Sequence, residues 1–187
     1  MTIFQDLREA NVSRQAEWTG NDQADAAFRA LELADEVGEV LASIKKWLRA
    51  QRDICGTTMT LQDVADEIGD AIISLDLLLC EVGVAHLPRN PFAEMRVTSS
   101  ARIGLLIDGK AGQISLLMFE GTSSSVTPRR ANKLRNELAH LTADLVALFI
   151  HLATVLGLNF EQLIAVKFNK TSEKYGLTTR MEVSSCN

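Results

Sequence analysis

The segment LELADEVGEV, residues 31–40, sets Leu33, Val37 and Val40 at helical spacing and puts four carboxylates, Glu32, Asp35, Glu36 and Glu39, among them. Apolar residues recurring at three and four mark a helix with one buried face. Like charges one turn apart cost such a helix about 0.2–0.5 kcal/mol per pair, so something must offset the repulsion. Advancing about 100° per residue from Glu36 places Glu32 and Glu39 roughly 40° and 60° to one side. Val40, Leu33, Ile44, Val37, Leu48 and Leu41 fall on the other side. The acids therefore line the margin of the buried stripe, and the solvent face goes to Ala42, Lys45, Lys46 and Arg49.

The stretch LQDVADEIGDAIISLDLLL, residues 61–79, repeats this geometry about Glu67. Asp63 and Asp70 lie to one side of it, and Ala71, Val64, Leu75, Ile68, Leu79 and Ile72 form the apolar arc on the other. Each helix thus carries a Glu with a second carboxylate three residues on, Glu36/Glu39 and Glu67/Asp70. An antiparallel hairpin closed by a loop at 53–60 brings the four to one partly buried place. There they must be protonated, paired with cations or bound to metal, because burial and like charge both disfavour the ionised form. Oxygen-only ligation selects Mg²⁺ or Mn²⁺ over zinc, and the cluster holds no His or Cys for a softer ion. The competing reading is a surface helix whose acids pair with Arg29, Lys45, Lys46 and Arg49. The same acid pair at the same angle on two helices favours metal.

The remaining chain also reads as helical. Prolines stand only at 88, 91 and 128, and the periodicity predicts helices over 3–18, 24–52, 61–84, 101–120, 131–156 and 160–173. The clearest loops are HLPRNP at 86–91 and GTSSSVTPRR at 121–130, and NDQADAAFRA reads as an N-capped helix start. The expected fold is an all-α bundle in one domain, residues 1–187. A shift of 74 residues sets Gly38 on Gly112, Ala65 on Ala139, Asp70 on Asp144 and Gly83 on Gly157, with apolar positions following in register. That pattern predicts two tandem helical hairpins, 1–84 and 100–158, followed by a C-terminal segment 160–187. Under the same shift Glu36, Glu39 and Glu67 become Lys110, Gln113 and Leu141, so the second hairpin cannot hold metal and is expected to supply packing and pocket wall.

Bulk properties narrow the function classes. With 47% apolar and 23% charged residues and a net charge of -5, the chain is an ordinary globular protein without the basic surface that grips nucleic acid. Cys55, Cys80 and Cys186 are odd in number and lack CxxC spacing, which argues against a zinc site or a disulfide framework and fits a reducing cytoplasm. The acidic N-terminus has no apolar leader core, and the longest apolar tract, LVALFIHLATVLGL, is too short for a membrane span. His140 and His151 are expected to serve packing. The amphipathic helices lead us to expect a homo-oligomer.

ELADEVGEV at 32–40 followed by DEIGD at 66–70 resembles the E-E-x-x-E … E-x-x-D signature of the MazG-like all-alpha nucleoside triphosphate pyrophosphohydrolases, with Asp35 where that pattern often has its first Glu. NVSRQAEW at 11–18 and KFNKTSEKYGL at 167–177 are similar to the flanks of phage-type members acting on purine deoxynucleotides, for which the host cytoplasm is the expected setting. The resemblance covers residues 11–84 and 163–180. It implies metal-dependent cleavage of a (d)NTP, with dGTP as an expected substrate, to the monophosphate and pyrophosphate. Glu36, Glu39, Glu67 and Asp70 would hold two or three Mg²⁺ or Mn²⁺ ions, and either Glu32 or Asp35 would orient the water. Lys167, Asn169, Lys170, Ser172 and Lys174 would meet the phosphates. Asn11, Arg14, Trp18, Lys46 and Tyr175 are further candidates to contact substrate, and Trp47 can stack on a base or anchor the core. A dUTP or dCTP pyrophosphatase and a non-catalytic nucleotide-sensing bundle are the alternatives.

Overall fold

Each helix begins where the sequence offers a cap. Asp25 accepts from the Phe28 amide at 2.9 Å, Thr60 and Asp63 cap reciprocally at 2.7 and 3.1 Å, and Asn159 accepts from the Gln162 amide at 3.0 Å. Caps of this kind stabilise a helix by about 1 kcal/mol each. The computed structural model describes residues 2–85, 96–123 and 125–183. It contains α1 (Ile3–Glu17), α2 (Ala26–Gln51), α3 (Leu61–Glu81), α4 (Ser100–Gly121), α5 (Pro128–Val155) and α6 (Phe160–Lys174), with a 3₁₀ turn at Asn21–Gln23 and no strand among the described residues. The expected all-α bundle is the architecture observed. The loop expected at 86–91 and Cys186 lie outside the described residues.

Two expected boundaries move. The segment 121–130 was expected to be loop throughout, but α5 starts at Pro128. Proline fits the first helical position, where its missing N–H has no partner to lose, and Thr127 caps the Arg130 amide at 3.3 Å. Helix α3 stops at Glu81 rather than 84 because Gly83 takes φ +75°, a left-handed conformation that glycine adopts without strain. The Val84 amide then bonds back to the Leu79 carbonyl at 2.8 Å, a Schellman-type close. Helix α5 ends the same way, with Gly157 at φ +70° and the Leu158 amide on the Ala153 carbonyl at 2.9 Å.

The packing follows from the apolar faces. Helix α2 lies chiefly against α3 on one side and α4 on the other, α4 packs on α5, and α6 packs on α3. Leu33, Val37, Val40 and Ile44 of α2 and Val64, Ile68, Ala71, Ile72, Leu75 and Leu79 of α3 are all buried in one core that draws on every helix. Leu41 and Leu48 are only half-buried. Ala42, Lys46 and Arg49, expected on the solvent face, are half-buried as well, and Lys45 alone of that set is exposed. Helix α3 is buried nearly all round, since α6 and α1 cover the side opposite α2. Asp76, fully buried in that apolar run, is held by Arg8 of α1 at 2.9 Å and by the Asn11 amide at 2.9 Å.

Helix α5 is the one helix, among the described residues, long and apolar enough by length and composition to cross a membrane. Read as sequence its apolar tract looked too short, but the helix around it runs 28 residues. Its apolar side chains Leu145, Val146, Phe149 and Leu152 are buried in the bundle core. His151 meets the Val97 carbonyl at 2.6 Å. His140, expected to pack, is instead exposed.

Candidate metal centre

The antiparallel contact of α2 with α3 brings the acid margins of both helices face to face. One carboxylate oxygen each from Glu36, Glu67 and Asp70 lie within 4.8 Å of one another. Glu39, one turn further along α2, adds its charge to all three. The Glu36 Oε2 is buried and has no hydrogen-bond partner among the described residues, although a buried carboxylate oxygen normally has one. All donors are hard carboxylate oxygens, the ligand type Mg²⁺ and Mn²⁺ take. The residues present therefore fit a divalent cation.

The electrostatics agree with the geometry. Burial, reinforced by the charges of Asp70, Glu39, Glu67 and Asp35, pushes the Glu36 carboxyl up to about 7. Burial and the neighbouring Glu39 push Glu67 up to about 7 against the opposing pull of Lys167. Asp70 is raised by burial, a shift that its Lys167 partner only partly opposes.

These shifts predict the pH dependence of the metal-free protein. Between pH 4.5 and 7 the folded state holds protons on Glu36 and Glu67 that the unfolded chain has released. Their stabilising contribution is complete below the unfolded value and is lost as pH rises through the folded one. Discounted for partial exposure, the loss is about 2 kcal/mol, or about 4–8 °C in melting temperature. The metal-free protein is expected to melt higher at pH 5 than at pH 8. Glu17, held down near 2 by Thr179 and Thr178, titrates below this window and does not oppose the trend. A higher melting temperature at pH 8 in the presence of chelator would contradict the clustering.

One cation enters the cluster from α6. Lys167 Nζ lies 2.6 Å from Asp70 Oδ2, and one turn on Lys170 pairs with Asp66 at 2.5 Å. Gly69 makes this possible: a Cβ there would sit 2.6 Å from the Lys167 Cβ, so any larger residue would force α6 away from α3. Burial alone would lower the Lys167 ammonium, but its hydrogen bond to Asp70 and the charges of Asp70, Asp66 and Glu67 outweigh that and raise it.

A cleft of ≈ 380 Å³ opens beside the cluster, and Glu32, Glu36, Asp70, Trp18, Phe28 and Arg29 are among the residues that line it. That volume falls within the range of small-molecule sites. Arg14 also lines it. Its guanidinium is buried, stacks 3.7 Å over the Phe168 ring, and leaves Nε without a partner; burial, against the pull of Asp70, lowers it to about 10. Glu32 is oriented by Arg29 at 2.6 Å, the one ion pair of the surface-helix reading that forms here among the described residues. Asp35 is exposed and does not line the cleft.

The other candidate residues divide by place. Trp18 lines the cleft and packs on the Tyr175 ring with centroids 4.8 Å apart. Lys174 is exposed and stands over Tyr175 at 5.2 Å. Asn11 does not line the cleft but holds Asp76, and Asn169 brackets the Met181 backbone at 2.9 and 2.8 Å. Ser172, on the inner side of α6, is fully buried, and its hydroxyl has no partner among the described residues. Lys46 sits on α2 two turns, about 10 Å, beyond Glu39, and Trp47 is half-buried at the core margin. Arg29 and Phe28 were not foreseen as cleft residues; the aromatic beside a basic residue at the start of the acidic helix is the signal that could have marked them. Across α4 and α5, Lys110 Nζ meets Asp144 Oδ2 at 2.7 Å, joining the two residues that the 74-residue shift sets on Glu36 and Asp70. Compared with protein-family models, curated proteins and solved structures, the chain matches none.

Proposed function

We propose that this chain is a divalent-metal-dependent pyrophosphohydrolase of nucleoside triphosphates, with a purine dNTP such as dGTP as the favoured substrate. The observation that carries the reading is the convergence of Glu36, Glu67 and Asp70 beside a cleft of ≈ 380 Å³ that Glu36 and Asp70 line. Glu36, Glu39, Glu67 and Asp70 would hold Mg²⁺ or Mn²⁺. Two or three such ions held there would neutralise a triphosphate, polarise its α-phosphorus and acidify water. Glu32, which faces the cleft where Asp35 does not, accepts the proton as water oxygen bonds to the α-phosphorus and the bond to the β-phosphate oxygen breaks. Arg29 keeps Glu32 aimed. Arg14 and Trp18, which line the cleft, would meet the base or the phosphates, and Lys167, paired with Asp70, would give way to substrate and metal. The second hairpin, with Lys110 and Asp144 where the first has Glu36 and Asp70, is read as a degenerate copy that supports the first.

Pyrophosphate release from each dNTP with Mg²⁺ or Mn²⁺ tests this reading. Equimolar monophosphate and pyrophosphate, fastest from a purine dNTP, is the expected result. Preference for dUTP or dCTP would move the base assignment, and nucleotide binding without turnover would replace the enzyme by a sensing bundle.

A further inference from the structure

Helix α4 is apolar on both of its faces. Ile103, Ile107, Ala111, Ile114 and Met118 point into the core. On the opposite, solvent side stand Leu105, Leu116 and Phe119, exposed by 71%, 72% and 81%. Gly109 and Gly112 lie between them with open space where a Cβ would be. The sequence 105, 109, 112, 116, 119 advances by four and three, the seam spacing of a helix that packs against another helix. An exposed seam of this length is not explained by the bundle itself.

We infer that this face is the interface with a second copy of the chain, its α4 antiparallel across a dyad at Gly112. The face is complementary to itself in that register. At about 1.5 Å per residue, Leu105 and the second copy's Phe119 come to the same height, about 10 Å from the dyad. On that flank of α4 runs a groove of ≈ 340 Å³ toward α2, lined by Leu41, Ile44, Leu48, Ile54 and Leu105, with Gly104 at its floor. Phe119 of each copy enters the groove of the other. On the opposite flank Arg102, which has no ion-pair partner among the described residues, lies within about 3 Å in height of the second copy's Glu120. Glu120 already holds Arg130 at 2.5 Å within its own chain, and its second oxygen, with no partner among the described residues, can take Arg102. Lys45, Arg49, Arg52 and Asp108 also line the groove, so its rim carries charge of both signs. This interface is independent of the proposed chemistry, since none of its residues lines the carboxylate cleft.

Sedimentation velocity of the full chain between about 1 and 100 µM tests the inference, a range that brackets the weak end of specific association. The parent is expected to reach twice the chain mass, and Leu116→Glu and Phe119→Glu to stay monomeric with unchanged helix content. Arg102→Glu is expected to weaken the dimer about tenfold and Arg102→Glu/Glu120→Arg to recover it, because the swap preserves opposite charge only in this register. A parent that remains monomeric throughout, a dimer that survives Leu116→Glu, or a charge swap without recovery would each overturn the interface. So would a monomeric parent that sediments with lipid vesicles.

Discussion

Glu67→Gln is expected to reduce pyrophosphate release more than about 100-fold, the upper range for removing even a partner of a metal ligand. The amide keeps the size of the side chain and loses the charge, so the packing of α3 against α2 is undisturbed. Metal-free Glu67→Gln is also expected to melt above the parent at pH 8. There the parent carries Glu67 ionised among Glu36, Glu39 and Asp70, a state that burial and like charge disfavour. Activity loss with a gain in metal-free stability separates a site residue from a structural one, because damage to the fold would lower both. Retention of most activity at saturating Mg²⁺ would remove Glu67 from the centre.

The same chemical change in α3 and in α5 gives the control. Asp70→Asn is expected to remove turnover, whereas Asp144→Asn leaves it within about twofold. Asp144 and its partner Lys110 are 43% and 30% exposed, and exposed ion pairs contribute about 0–1 kcal/mol. Comparable losses at both positions would show that the second hairpin takes part in the chemistry.

How much of this was legible in the sequence depended on the range of each contact. The wheel about Glu36 and Glu67 needs only local periodicity and one hairpin turn; of the four carboxylates it set together, Glu36, Glu67 and Asp70 meet and Glu39 stays exposed. It also found the buried arc of α3, from Val64 to Leu79. Asp63, which the wheel set to one side of Glu67 and outside the four, is held by Thr60 at the helix start; such capping lowers its carboxyl below the ordinary range. Contacts made across the bundle were not legible. Lys167 reaches Asp70 only because Gly69 lets two helices distant in sequence approach, and the burial of Asp76 depends on Arg8 arriving from α1. Asn11 and Asn169 carry the polar groups expected of substrate contacts, yet their hydrogen bonds go to the protein itself. The outer apolar seam of α4 was hidden by its own inner one, since a helix apolar on both faces reads as buried.

Binding of Mn²⁺ to the substrate-free chain, followed by calorimetry and by the melting temperature, tests the central claim most directly. A cation that binds only the folded state raises its stability by about 2.7 kcal/mol at a hundredfold excess over its dissociation constant, or about 5–11 °C for a chain of this size. Glu36→Gln/Asp70→Asn removes two of the three converging ligands, including the one whose buried oxygen has no partner. The parent is expected to bind Mn²⁺ saturably and to melt higher with it, and the double variant to show neither heat nor shift. Equal binding and equal shifts in both proteins would contradict the account, because the ions would then be held away from Glu36, Glu67 and Asp70.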